Sequence, residues 1–166
     1  MIAIKNLHAK ELTTDLIPFV HQVYEQNRTA LHGIPISLDE WHCAFADDAD
    51  PHEVNFIICN EATPVAWLKL NGLHKPEICI SMLVVDKAFQ HEGAGKFAVQ
   101  LAETYAKEHS KAAVLIQTTQ DNVIAKKCYL NCGYDIVREM DYHAGGGIAR
   151  AGRAGYEFKK AITAER

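Results

Sequence analysis

An apolar run from Ile78 to Val85 leads into the turn Gln90-His91-Glu92-Gly93-Ala94-Gly95, and an amphipathic stretch from Lys96 to Lys107 follows at once. This succession restricts the fold sharply, because a buried strand must hand its chain to a helix through a glycine-bearing turn. The first N–H groups of such a helix have no intrahelical partner, and the helix dipole places partial positive charge there. Strand, turn and helix start together make an anion site. Gly93 and Gly95 allow the backbone to come close to a bound group and to take positive φ where the turn needs it. The ligand this implies is a phosphate or pyrophosphate.

The rest of the chain reads as one α/β domain spanning its 166 residues. Ile2–Ile4 is expected as a first strand. A helix after Thr14 carries Leu16, Phe19, Val20, Val23 and Tyr24 on one side, with Pro18 tolerated in its first turn. Ser37-Leu38-Asp39-Glu40 is a capping box, flanked by Ile36 and Trp41 in the positions of a hydrophobic staple. That second helix stops before Asp47-Asp48. Val54–Cys59 and Val65–Leu70 form a hairpin about the turn Glu61-Ala62-Thr63-Pro64, and Glu77–Val85 is the next strand. Its end, Met82-Leu83-Val84-Val85, is continuously apolar, which predicts burial on both faces.

Beyond the glycine turn, the helix sets Phe97, Leu101 and Tyr105 on one side with Ala98 and Ala102 beside them. Ala113–Ile116 is a buried strand. Asp121 or Asn122 caps a helix whose Ile124, Ala125, Cys128 and Tyr129 face one way, and Gly133 ends it. Tyr134–Val137 and Tyr156–Lys159 close the chain as strands. Between them lies a glycine-rich tract, Ala144–Gly155, read as a long flexible loop or as a lid bringing Arg150 and Arg153 to an anionic substrate or to a ribose phosphate.

Composition narrows the partners. The formal net charge of −4 gives no global attraction to nucleic acid or to an anionic membrane, so a polyanion must be held by a local device. No apolar run is long enough to span a bilayer, and the N-terminus lacks a signal-peptide pattern. Five cysteines, an odd number scattered through core segments, point to reduced thiols and a cytoplasmic location. The nine histidines show no zinc spacing, and no metal is expected.

Three glycine motifs compete for the turn. A Walker loop is excluded because Gly95-Lys96 is followed by Phe97 and the upstream position is Gln90. A dinucleotide fingerprint needs three spaced glycines where this turn has two. The remaining pattern is Leu83-Val84-Val85-Asp86, then Gln90, Gly93, Gly95 and Lys96. A second block follows downstream: Asn122, Ala125, Cys128-Tyr129 and Gly133-Tyr134. On these two blocks, from about Glu77 to Val137, the chain resembles the GNAT superfamily of acetyl-CoA-dependent N-acetyltransferases, with Tyr134 where the family has Phe.

The resemblance implies a GNAT fold: a twisted, mixed and mostly antiparallel sheet of six or seven strands with about four helices, splayed at the acetyl-CoA site. It implies that the backbone of Gln90, His91, Glu92, Gly93, Ala94, Gly95 and Lys96 cradles the coenzyme pyrophosphate. Gln90 has the alternative of a polar turn residue, and Lys96 that of a solvated first-turn lysine. The pantetheine arm is expected to pair like an added strand with Leu83 and Val85, and an N–H near Leu83 or Val84 to polarise the thioester oxygen. Tyr129 matches the tyrosine that protonates the departing thiolate, with a core aromatic as its alternative. Asn122 is a helix cap, a coenzyme contact, or both.

The amine must lose a proton before it attacks through a tetrahedral intermediate. Glu77 is the first candidate base, with Cys79 and Ser81 the other polar groups of the strand. The resemblance puts the acceptor pocket in the first two helices and late strands, where Tyr24, Glu25, Arg28, His32, Trp41, His42, Asp141, Tyr142 and His143 fall. The expected activity is acetyl transfer to a primary amine, most simply of a small molecule. A protein or peptide amine and a non-catalytic acetyl-CoA-binding module are the alternatives. Homodimers are common among such relatives.

Overall fold

The structure, a computed structural model, describes residues 6–46, 50–142 and 153–163. Ile2–Ile4 and most of the glycine-rich tract, with Arg150, lie outside the described residues. The described chain forms seven strands and four α-helices: β1 (Leu7–Glu11), α1 (Ile17–Asn27), α2 (Leu38–Ala46), β2 (Val54–Asn60), β3 (Thr63–Asn71), β4 (Glu77–Val85), α3 (Ala94–Glu108), β5 (Ala113–Thr119), α4 (Val123–Asn131), β6 (Asp135–Tyr142) and β7 (Arg153–Ala161). They make one sheet in the order β1-β2-β3-β4-β5-β7-β6. Every neighbouring pair is antiparallel except β4 with β5. The mixed, mostly antiparallel sheet expected of the chain is therefore present.

Each face of the sheet has its own core. Ile58, Leu68, Ile78, Ile80, Val114, Ile116 and Phe158 lie against α3 and Tyr129 on one face. Ile57, Trp67 and Val84 lie against Val20, Val23, Tyr24 and Trp41 of α1 and α2 on the other. The capping box forms as its spacing predicts. Glu40 Oε2 accepts from the Ser37 N–H at 2.6 Å, and the Glu40 N–H donates to Ser37 Oγ at 3.2 Å.

Several local expectations are corrected. The β2–β3 turn is two residues long, because Asn60 pairs with Thr63 and Glu61 takes φ of 54° to make the bend. Pro64 is consequently the second residue of a strand, where a bulge beside Cys59 accommodates its missing N–H. The inner stripe of α3 is Ala94, Ala98, Val99, Ala102 and Ala106, with Phe97, Leu101 and Tyr105 on its flanks. Small side chains let that helix lie close over β3–β5. Ile124 does not face the core: the first turn of α4 stands clear of the sheet, leaving Val123 67% and Ile124 69% exposed.

The end of β4 is also not buried on both faces. Of Met82–Val85, only Val84 is buried. The cause is the parting of the two parallel strands. The β4–β5 ladder ends at Ile80–Ile116, whereas β4 runs on to Val85 and β5 to Thr119. A wedge opens between them.

Within β4, Ser81 is an extra residue. Lys69 pairs with Met82 and Leu70 with Ile80, so Ser81 is bulged out of the register, and its hydroxyl donates to the Lys69 carbonyl at 3.3 Å. The bulge reverses the side-chain alternation of the strand. Ile78 and Ile80 share the α3 face with Leu83 and Val85, while Met82 and Val84 join the α1–α2 face.

Candidate active site

Beyond the last rung both strands turn an open backbone edge to the wedge, and that of β4 leads to the turn. The Asp86 N–H donates to the Val65 carbonyl at 2.9 Å, so at Asp86 the main chain faces β3. In an extended strand these groups alternate sides. Leu83 and Val85 therefore turn their N–H and C=O groups into the wedge, and Val84 turns its own toward β3. Of the two N–H groups considered for the acyl oxygen, only that of Leu83 points the right way. The Val85 carbonyl is already held by Asn27 Nδ2 at 3.2 Å and Gln90 Nε2 at 3.1 Å, and Gln90 also donates to Asn27 Oδ1 at 3.0 Å. Gln90 is thus an anchor between turn, strand and α1. No sequence pattern marked Asn27, because its role exists only once α1 crosses the end of β4.

Asp86 ends the strand and shapes the turn. Its carboxylate accepts from the Ala88 N–H at 2.9 Å and from Gln22 Nε2 at 3.1 Å. His91 has φ of 66° and Gly93 φ of 94°, which directs the chain into α3. The Phe97 N–H is the first to close on the helix, reaching the Gly93 carbonyl at 3.0 Å. The N–H groups of Ala94, Gly95 and Lys96 therefore precede the ladder. A Cβ built at Gly93 or Gly95 meets no atom within 4 Å. Gly95 lies in the helix without positive φ, so neither backbone strain nor packing requires glycine there. The open space in front of orphan N–H groups is what a pyrophosphate needs, and the residues present fit that group. His91 and Lys96 are exposed, and Glu92 is half-buried.

Tyr129 is buried over the apex of the wedge. Its ring meets Phe158 edge-on at 5.4 Å, and Phe158 pairs with Ile116, the last β5 residue joined to β4. Asn122 caps α4, its Oδ1 accepting from the Ala125 N–H at 3.2 Å. Leu83, Val85 and the turn follow the end of the β4–β5 ladder, and Asn122 starts the helix that carries Tyr129. Glu77 stands apart. It pairs with Ala113 three rungs inside the closed end, about 10 Å from the apex, and forms an ion pair with Lys159. Burial pushes the Cys79 thiol up to about 11, so this side chain is a neutral thiol rather than a nucleophile. Glu157 of β7 accepts from Arg138 of β6 and Gln117 of β5, and the Arg138 contact first of all holds its carboxyl below the usual range.

Behind the wedge, on the α1–α2 face, is a cavity of about 650 Å³. Tyr24, Trp41 and His42, expected near an acceptor, line it together with Phe45, Trp67, Glu53, Lys69, Ser81 and Met82, which carried no motif. Tyr24 donates to the Ile34 carbonyl at 2.8 Å. Arg28 pairs with Glu25 at 3.0 Å, and His32 Nε2 lies 3.3 Å from the Asp121 carboxylate. None of Glu25, Arg28 or His32 borders the cavity. Asp141 is exposed on edge strand β6, His143 lies outside the described residues, and Arg153 begins β7 opposite Tyr142.

Gly33 is fixed by the same corner. A Cβ there would sit 2.2 Å from Tyr24 Oη and 2.9 Å from Cζ. Gly33→Ala must push a buried tyrosine off Trp41 and is expected to cost about 1–3 kcal/mol. A thermal midpoint equal to that of the wild type would contradict this packing.

The comparisons agree with this fold. The model of the acetyltransferase (GNAT) family matches residues 17–134. No curated protein matches the chain. Among solved structures, the ribosomal-protein-S18-alanine N-acetyltransferase of Escherichia coli is similar at a TM-score of 0.72 and 15% identity, over 97% of each chain. An N-acetyltransferase of Staphylococcus aureus Mu50 is similar at 0.78 and 12% identity, over 96% of this chain and 100% of that one. The spermidine N-acetyltransferase of Vibrio cholerae, solved with CoA and spermine, is similar at 0.78 and 14% identity, over 94% of this chain and 95% of its own.

Proposed function

This chain belongs to the acetyltransferase (GNAT) family, and from that premise we propose that it transfers the acetyl group of acetyl-CoA to the primary amine of a small molecule. The observation that carries the reading is one continuous backbone surface. The open edge, made by Leu83 and the N–H of Val85, runs into the orphan N–H groups of Ala94, Gly95 and Lys96, with room left before Gly95. Acetyl-CoA supplies an acyl group already activated as a thioester.

The chain's residues supply the rest. The backbone of Gln90–Lys96 holds the pyrophosphate, and the main chain of Leu83 and Val85 aligns the pantetheine arm. The Leu83 N–H faces the acyl oxygen, where charge develops. Tyr129 keeps a proton on its hydroxyl for the sulfur. Asn122, at the start of α4, borders the coenzyme. Glu77 of β4, held by Lys159 at the closed end of that strand, is the carboxylate proposed to receive the amine proton by relay. The cavity of about 650 Å³ under α1 and α2 is of the size of a small-ligand site and supports a small acceptor. The five cysteines are all free, which supports a reducing, cytoplasmic setting.

Calorimetric titration with acetyl-CoA and with free CoA tests the reading, followed by free-thiol release in the presence of amines. Saturable binding of both ligands and amine-dependent thiol release are expected. Folded protein that binds neither would overturn the proposal, and binding without thiol release for any amine would leave a non-catalytic binding module.

A further inference from the structure

We propose that the acceptor is an arylalkylamine: a primary amine on a flat aromatic body that carries no carboxylate. This rests on the acetyl-transfer reading and specifies its second substrate. Four rings stand in the wall of the 650 Å³ cavity, with Tyr24, Trp41 and Trp67 buried behind its surface and Phe45 partly open. Trp41 meets Tyr24 edge-on at 5.3 Å and Trp67 edge-on at 5.5 Å, and stacks with Phe45 at 5.7 Å. Phe45 and Met82 leave part of their apolar surface open. Such a volume is that of a small-ligand site, and uncovered apolar wall is stabilised when a flat apolar body covers it.

The charges select the rest of the molecule. Lys69, the one lysine among the described lining residues, is held by Glu53 at 2.8 Å and is not available to a carboxylate. Glu11 and Asp50 are exposed in the lining and favour an approaching ammonium group. A polyamine would bring further ammonium groups past Glu11 and Asp50 to the ring-lined part of the cavity, where the carboxylate of Glu53 is already paired with Lys69.

The position of the cavity completes the argument. Ser81 and Met82 belong to its wall, and the main chain of the next residue, Leu83, opens into the wedge. An amine held with its body among the rings is thereby presented to the acyl carbon. The N–C bond forms, the C–S bond then breaks, the amine gives up one proton, and the sulfur gains one.

Both tryptophans of the chain, Trp41 and Trp67, line the cavity, so intrinsic fluorescence reports its occupancy directly. The wild type is titrated with 2-phenylethylamine, spermidine, L-phenylalanine and a peptide with a free N-terminal alanine, and the same four are assayed for acetylation. Saturable quenching by 2-phenylethylamine is expected, with kcat/KM at least about tenfold above each of the others. Phe45→Leu keeps the bulk, removes a ring, and should raise KM for the amine about tenfold at unchanged acetyl-CoA affinity. Preference for spermidine, phenylalanine or the peptide overturns the assignment, as does a Phe45→Leu variant with unaltered KM. If acetyl-CoA binds and no arylalkylamine quenches, the acceptor class fails and acetyl transfer stands. If acetyl-CoA does not bind, acetyl transfer fails, and the fluorescence titration still decides what the cavity holds.

Discussion

Gly95→Asp should yield a protein that is harder to unfold and nearly unable to bind acetyl-CoA. The two effects have one cause. Gly95 is in the first turn of α3, without positive φ, and a Cβ there meets nothing within 4 Å. Glycine inside a helix is unfavourable by a large part of ~1 kcal/mol, and a carboxylate at a helix start gains about 0.3–1 kcal/mol from the dipole. The fold should therefore gain up to ~1 kcal/mol, raising the thermal midpoint by a few degrees. A pyrophosphate in the same place meets an added negative charge. At about 4 Å and an effective dielectric near 20, that repulsion is about 4 kcal/mol, so a loss of at least a hundredfold in affinity is expected. Gly93→Asp is a less clean probe, because φ of 94° would strain any side chain there. Calorimetry and thermal unfolding on one Gly95→Asp sample decide the matter; unchanged affinity removes the pyrophosphate from this turn.

Tyr129→Phe should lower kcat by about a hundredfold or more while leaving acetyl-CoA affinity within twofold, since a positioned general acid contributes roughly 10²–10⁴. The ring contact with Phe158 survives the change, so stability should move little. A purely structural role predicts the opposite: turnover kept, midpoint shifted. The loss should be smallest for acyl donors whose thiol has a low pKa, because such a leaving group needs less help from a proton. A uniform loss across donors, or none, takes Tyr129 out of the proton-transfer step.

Local chemistry explains what could be read from the sequence. The capping box at Ser37–Glu40, the bounds of β4 and the glycine turn are all written in neighbouring residues, and each appears where its spacing puts it. The wedge was legible only through the family resemblance, because the parting of β4 from β5 depends on how far two distant segments pair. Apolar Met82, Leu83 and Val85 read as core for the same reason: hydrophobicity marks a surface that must be covered, without saying whether protein or ligand covers it. The cavity was the least visible. Phe45, Trp67 and Lys69 come from a helix and a strand with ordinary amphipathic patterns, and only packing brings them together.

The single extra residue at Ser81 makes two properties of the enzyme separately adjustable. In the proposed arrangement, coenzyme alignment falls to the main chain of Leu83 and Val85, and every residue except proline offers the same main-chain groups. The acceptor cavity, by contrast, is shaped by side chains, Met82 among them, on the face that the bulge assigns to it. Substitutions at that position can change which amine is taken while the coenzyme is held as before. Deleting Ser81 would undo this division at a stroke, exchanging the roles of adjacent residues along the rest of the strand. Selection can therefore vary the acceptor one side chain at a time, while tolerating almost no change in the length of this strand.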